Sequence, residues 1–298
     1  CVRGIGSTFQ QPAIQSIIPQ LVPKDELIKT NGWMQLLNSG SFLLGPVIGA
    51  FLYAVFPMPI VLMSDVAGAV LASIALGIVK IPKLAQVETE KQHFVKEIKE
   101  GIQVFREDKR LLYIVTAQAL CMFFYAPLSS FYPLMTSDYF DLSAIYGSAA
   151  EMSFAVGMIV SSLMFSAVLH VKQKIRTSFL GLFGMGIMSA VCGVIPPVYT
   201  GWFFFATACI GLGASGNIHT IPLTAYIQET VVPEKMGRAF SVLTLISSVT
   251  MPIGLVFSSP IAEQVGVHTW FFISGICMVT LTAAIAVRCL TVQRRGRI

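Results

Sequence analysis

Charge is what this sequence has least of. Only 12% of its 298 residues are Asp, Glu, Lys or Arg, while 55% are hydrophobic and the mean hydropathy is +0.74. A soluble domain carries roughly a quarter charged residues, so a water-soluble globule does not fit. Histidine is scarce and scattered (His93, His170, His219 and His268). A membrane enzyme would need a His/Asp/Glu cluster or a Ser/His pair near one bilayer face, and this dispersal argues against one. The six cysteines (positions 1, 121, 192, 209, 277 and 289) include no close pair. That spacing supports neither a metal site nor a disulfide framework, and free thiols serve as small apolar residues. A Gly-x-x-x-x-Gly-Lys-Ser/Thr phosphate loop is also missing, which argues against ATP hydrolysis by this chain. No cofactor is expected, and nothing implies an ATP-binding partner protein. No signal peptide is apparent.

What is present is long apolar runs. Nine are close to the 20 residues a helix needs to cross a bilayer core, at approximately 1–22, 32–56, 59–79, 111–135, 145–169, 177–196, 202–227, 239–261 and 269–288. Nineteen of the twenty Lys and Arg residues fall into every second gap between them. Lys24 and Lys29 occupy the first gap, eight cations lie between Lys80 and Arg110, then come Lys172, Lys174 and Arg176, then Lys235 and Arg238. Arg288, Arg294, Arg295 and Arg297 close the series, and the intervening gaps are bare. Short Lys/Arg-rich loops stay in the cytoplasm, so the pattern predicts a multi-pass protein with a cytoplasmic C-terminus. The formal charge of +5 suits a loop surface beside anionic lipid and calls for no nucleic acid.

An internal repeat organises the chain. Pro12-Ala-Ile-Gln-Ser-Ile-Ile-Pro-Gln-Leu-Val-Pro23 and Pro222-Leu-Thr-Ala-Tyr-Ile-Gln-Glu-Thr-Val-Val-Pro233 share an eleven-residue Pro-to-Pro spacing, at an offset of 210 residues. Each is followed by a charged turn and another apolar span, the first containing Gly45-Pro46, the second Pro252 and Gly254. Such symmetry is the mark of transporters. Six spans follow the central basic loop and three precede it, so the repeat predicts three more upstream of Cys1. The expected fold is therefore an all-α membrane protein of two parallel six-helix halves, nine of its twelve transmembrane helices being in this sequence. Residues 1–79 would be the rest of the N-terminal half, 80–110 a cytoplasmic amphipathic linker, 111–290 the C-terminal half and 291–298 a basic tail. Within the linker, Phe94, Val95, Ile98, Ile102 and Phe105 recur at helical spacing, which predicts a helix lying in the interface.

This architecture resembles the major facilitator superfamily. Arg3-Gly-Ile-Gly6 resembles its fourth-helix signature. Gly45-Pro46-Val-Ile-Gly49-Ala50 resembles its fifth-helix antiporter motif, with Ala50 in place of the last Gly. Gln228-Glu-Thr-Val-Val-Pro233-Glu-Lys-Met-Gly237-Arg238-Ala-Phe-Ser resembles its turn between helices ten and eleven. Arg3–Ala13, Asp65–Ile74, Ile81–Leu84, Phe131–Met135, Met251–Leu255 and Gly266–Gly275 are similar to bacterial macrolide-efflux (Mef-type) proteins. One departure is His170-Val-Lys-Gln-Lys-Ile-Arg176, which is basic but lacks the Asp of the superfamily's Asp-Arg-x-x-Arg-Arg loop. The resemblance implies a bacterial plasma-membrane exporter, working by proton-coupled antiport of an amphipathic drug such as a macrolide. Its partners would be lipid, protons and that small molecule. A siderophore or a lipid-like metabolite is an alternative substrate, and a non-transporting accessory protein on the same fold is an alternative of another class.

Ionisable groups inside the hydrocarbon are costly and therefore functional candidates. Arg3, Asp65 and Glu151 are the three in this chain. By the resemblance Arg3 lines the central cavity, where a guanidinium cannot give up its proton and would hold a neighbouring carboxylate. Asp65 and Glu151 are the candidate proton carriers, each alternatively a polar packing residue. Helices four, seven and ten line the cavity in the superfamily. That nominates Gln10, Gln11, Gln118, Tyr125, Asn217, His219 and Tyr226, although each could equally join helices to one another. Gly45, Pro46 and Gly49 are expected to form a hinge with a close helix approach. Pro23, Pro233, Gly237 and Arg238 mark the cytoplasmic turns.

Overall fold

The computed structural model describes the backbone of residues 2–78, 94–169 and 171–295, with side chains for 10–75, 77–78, 97–169 and 171–291. Among the described residues are ten α-helices: α1 (Val2–Leu21), α2 (Leu27–Val55), α3 (Met58–Ile78), α4 (Phe94–Glu107), α5 (Lys109–Leu134), α6 (Ala144–Ala167), α7 (Lys174–Val194), α8 (Tyr199–Thr230), α9 (Pro233–Val265) and α10 (Val267–Arg295). Each of the nine apolar runs is one of these helices, and α4 falls in the linker. Eight of them, α2, α3 and α5–α10, are long and apolar enough to cross a membrane. At 20 residues α1 would span about 30 Å, but Gln10, Gln11, Gln15 and Gln20 lower its hydropathy.

Proline sets four of the helix ends. The residue before a proline is pushed out of the helical region, and the helices stop ahead of Pro23, Pro57, Pro196 and Pro233. Pro233 then opens α9 at its first turn, where the missing N–H costs nothing. At the other end of α9, Gly266 takes φ +88° while its N–H caps the Ala262 carbonyl. Only glycine adopts that geometry freely, and it turns the chain directly into α10. Several predicted runs extend by a turn or more; α9, for instance, begins six residues before its apolar stretch, because polar helix ends continue beyond the hydrocarbon.

Helices α5–α10 form one bundle, in which α8 packs on α6 and α7, and α10 on α5 and α7. Small residues set its closest crossings. A Cβ on Gly157 would collide with the Ile210 carbonyl, and one on Gly213 with the Phe154 carbonyl. At such crossings α6 and α8 meet backbone to backbone, as membrane helices do where small residues permit. The bare end is closed over this bundle by Tyr139, which stacks on His268 at 4.4 Å and donates to the Ile195 carbonyl at 2.8 Å.

α4 is docked on α9 and α5. Gly101, Val104 and Phe105 are buried, and a Cβ on Gly101 would meet the Arg238 carbonyl and the Val242 side chain of α9. Arg238 pairs with Glu100 and Lys235 with Glu107, so charges flank the apolar contact on two sides. Ile102, predicted on the apolar face, is 39% exposed. Phe94 and Val95 lie outside the described side chains.

The first three helices attach to the bundle asymmetrically. α2 packs along α6 and touches α8, α1 packs on α9 and α8, and α3 touches little besides α2. All the buried residues of α2 (Leu27, Ile28, Asn31, Gly32 and Ser39) lie in its first half. A Cβ on Gly32 would meet the Ser166 backbone at 2.9 Å. Farther along this seam Phe42 faces Phe154 of α6, with ring centres 6.4 Å apart. From Leu44 onward α2 and α3 present apolar side chains outward.

Candidate functional site

The basic end is where the two parts of the chain are joined. α1 finishes there, α2 begins there, and so do the last turns of α6 and α8. Ile18, Leu27, Ile28, Phe165, Ile221 and Ala225 form a small apolar cluster separate from the main core, drawing on both sides of the junction. Beside it lies a buried polar bridge. Asn31 is 6% and Gln228 3% exposed. The Asn31 Nδ2 donates to Gln228 Oε1 at 2.6 Å and to the Leu27 carbonyl at 2.8 Å. Gln228 Nε2 donates in turn to the Gln15 carbonyl at 2.9 Å. At the rim, Lys24 donates to the Glu229 carbonyl at 3.3 Å, and the Glu229 carboxylate pairs with Lys174 at 2.5 Å. The bridge thus ties α1 and α2 to α8 through groups shielded from water, where an unmade bond is costly.

Helical geometry decides which face of α8 does this. Residues eleven apart on a helix point almost the same way, and residues two apart point roughly 200° apart. Asn217 and Gln228 therefore share one face and His219 points to the other. Asn217 is buried and donates to the Met158 carbonyl and to Ser162 Oγ of α6, at 2.8 and 2.9 Å. His219 is buried against α7, with Nδ1 2.8 Å from Ser178 Oγ, which also donates to the His219 carbonyl. A Cβ on Gly181 of α7 would collide with the His219 backbone. Neither side chain lines an open path. Each fastens α8 to a neighbour, Asn217 through Nδ2 and His219 through Nδ1, while His219 Nε2 is buried with no hydrogen-bond partner among the described residues. Tyr226 donates to Asp108 Oδ2 at 2.5 Å, while Asp108 caps α5 by accepting from the Arg110 N–H. It joins the end of α8 to the start of α5.

The other predicted residues are spread out. Tyr125 is half-buried against the main core, and Gln118 keeps a buried Oε1 with no hydrogen-bond partner among the described residues. Gln10 and Gln11 are exposed on α1, Asp65 is exposed on α3, and Glu151 is exposed two turns into α6. The Arg3 side chain lies outside the described residues. Pro46 sits inside the uninterrupted α2. No described atom lies within 4 Å of a Cβ built on Gly45 or Gly49, so the close approach expected there has no described partner. Gly32, ten or more residues earlier, makes the tight crossing instead. Pro23 and Pro233 open the two basic-end turns, and Gly237 and Arg238 follow on α9 beside α4. Among the described residues no group of His, Cys, Asp or Glu could hold a metal ion.

Asn31 and its bond to Gln228 were not anticipated. The partners are 197 residues apart, and the signal that could have found them is the repeat itself. Equivalent helices of symmetric halves meet near their common axis, so a polar residue next to either Val-Pro turn is placed to cross it. Phe42 and Phe154 were also missed, being hydrophobic among many hydrophobic residues.

Comparison with known proteins agrees with this architecture. A family model for the Major Facilitator Superfamily matches residues 1–255. Macrolide efflux protein A of Streptococcus pyogenes is 37% identical over 289 residues, covering 97% of this chain and 70% of that protein. Macrolide efflux protein A of Enterococcus faecalis is 36% identical over 255 residues, 85% of this chain and 78% of that protein. The multidrug efflux pump Tap of Mycobacterium bovis (strain BCG / Pasteur 1173P2) is 23% identical over 283 residues, 93% and 65% respectively. With its apolar helices, its basic-end turns and these matches over most of its length, the chain belongs to the major facilitator superfamily and is of the macrolide-efflux type.

Proposed function

We propose that this protein is a secondary active exporter that expels an amphipathic compound, of the macrolide kind, in exchange for protons by alternating access. The basic end is taken as cytoplasmic, following the distribution of Lys and Arg. The observation that carries the reading is the position of the junction. The apolar cluster and the Asn31–Gln228–Gln15 bridge are at the basic end, where α1 and α2 meet α8 and α6. A transporter closed toward the cytoplasm has its contacts in this place. Such a junction is worth building only if it also opens, since release and recapture of substrate need both states.

Proton coupling is assigned to Glu151 and Asp65, carboxylates placed within spans, with Arg3 as the group that orients one of them. Ionisable residues at such depth are retained for a purpose. An amphipathic substrate needs apolar and aromatic walls with a few polar groups. Phe42 and Phe154, paired between α2 and α6, and Phe123, 5.9 Å from Phe257, offer rings in suitable places. The test is the accumulation of a radiolabelled macrolide in susceptible bacteria that express the full protein. Expression should lower accumulation, an uncoupler should abolish the difference, and Glu151→Gln should mimic the uncoupler. Accumulation unaffected by expression overturns export, and export that survives the uncoupler overturns proton coupling.

A further inference from the structure

At the basic end a cavity of about 950 Å³ opens between the ends of α5, α7, α8 and α10. It lies within the α5–α10 bundle beside the junction between the halves, on whose apolar cluster its lining residue Val171 also packs. Arg110, Lys172, Lys174 and Arg176 line it, and Glu229 is the one carboxylate among the lining residues. Lys174 holds that carboxylate, and Asp108 lies 3.9 Å from Arg110. Lys172 and Arg176 form no ion pair with any described residue. With Lys174 and Arg110 each beside a carboxylate, Lys172 and Arg176 leave the cavity positive. Part of its wall is apolar, built by Phe179, Phe183 and Ala286. Leu180 and Leu290, also lining it, are 66% and 40% exposed and continue this apolar surface outward along the helices.

We propose that this cavity binds the phosphodiester headgroup of an anionic phospholipid from the leaflet at the basic end. Four features point to that chemistry. The cations surround a space at the level where the membrane helices end, and unpaired Lys and Arg there attract phosphate. Arg176 supplies a guanidinium suited to two phosphate oxygens. The first turn of α7, whose N-cap Gln173 makes no side-chain cap, adds free N–H groups at the same wall. The exposed leucines provide the track for acyl chains, which a soluble phosphate would not use. The chain's own end is not the occupant, because Arg294, Arg295 and Arg297 carry the same charge as the cavity. Lys174 links the site to the junction. It holds the carboxylate of Glu229, whose carbonyl receives Lys24 and whose neighbour is Gln228. A lipid phosphate drawing on Lys174 therefore acts next to the bridge between the halves.

The test is native mass spectrometry of the purified full-length protein with phosphatidylglycerol, against phosphatidylcholine as the zwitterionic control. Retention of phosphatidylglycerol over phosphatidylcholine is expected. A surface cation contributes roughly a fivefold attraction to anionic lipid, so the double variant Lys172→Ala, Arg176→Ala should bind phosphatidylglycerol about 25-fold more weakly. Both residues are exposed and the variant should elute from a sizing column as the parent does. Lys29→Ala, an exposed cation of α2 away from the cavity, should leave retention unchanged. Equal retention of the two lipids, or equal loss in Lys29→Ala, overturns the proposal. So does displacement of the lipid by glycerol phosphate at the same concentration, which would mark a site for a soluble phosphate.

Discussion

Replacing Asn31 by Ala removes a bond between groups that water hardly reaches. Asn31 Nδ2 lies 2.6 Å from Gln228 Oε1, and both residues are less than a tenth exposed. Leaving a buried acceptor without its donor costs about 1–3 kcal/mol in soluble proteins, whereas interhelical bonds inside membranes average nearer 0.6. A working value of about 1 kcal/mol moves a two-state equilibrium about fivefold. Spin labels at Glu26, in the turn between α1 and α2, and at Glu234, in the first turn of α9, report the gap at the basic end. Both sites are exposed. Distance distributions should show the open fraction rising about fivefold relative to the closed one in Asn31→Ala. Gln228→Ala should do at least as much, since its bond to the Gln15 carbonyl goes too. The two substitutions should not add. A coupling of about 1 kcal/mol in the double-mutant cycle is expected, and additivity to within about 0.3 kcal/mol would show that this contact does not hold the halves together.

Three further outcomes follow from particular contacts. Gly157→Ala forces a methyl into the Ile210 carbonyl, an overpacking that costs about 1–3 kcal/mol; the melting temperature in detergent should fall by several degrees, and an unchanged melt contradicts the crossing described. Gly101→Val should lift α4 from α9 and speed proteolysis between α3 and α5. Arg238→Ala removes only a partly exposed pair with Glu100, worth about 0–1 kcal/mol, and should change the cleavage rate little. Asn217→Leu should lower stability but leave substrate affinity alone, because its side chain serves the α6–α8 seam; a specific loss of affinity measured by ligand binding would return it to the transport path.

The helices were legible because hydrocarbon sets their length and, for α1, α2, α7 and α8, proline sets the end. The Val-Pro turns were legible because the repeat announced them twice. What the sequence concealed was direction. Asn217 and His219 are polar residues of one helix, and rotation about its axis sends one toward α6 and the other toward α7. Partner atoms decide which polar residue is fastening and which is lining, and those atoms belong to helices 40 to 60 positions away. Gly157 and Gly32 were hidden for a different reason. Any glycine in an apolar run can mark a close crossing, and only the neighbouring backbone shows which ones do. Gly45 and Gly49, singled out by motif, have no described neighbour, while Gly32 does.

The central claim is that the junction at the basic end opens in every transport cycle. Cysteines at Asn31 and Gln228, in a background freed of native cysteine, can be joined by a short thiol-reactive cross-linker cleavable by reductant. Export of labelled macrolide should stop when the link is complete and return when it is cut. Export at an undiminished rate through the linked protein would contradict alternating access at this junction.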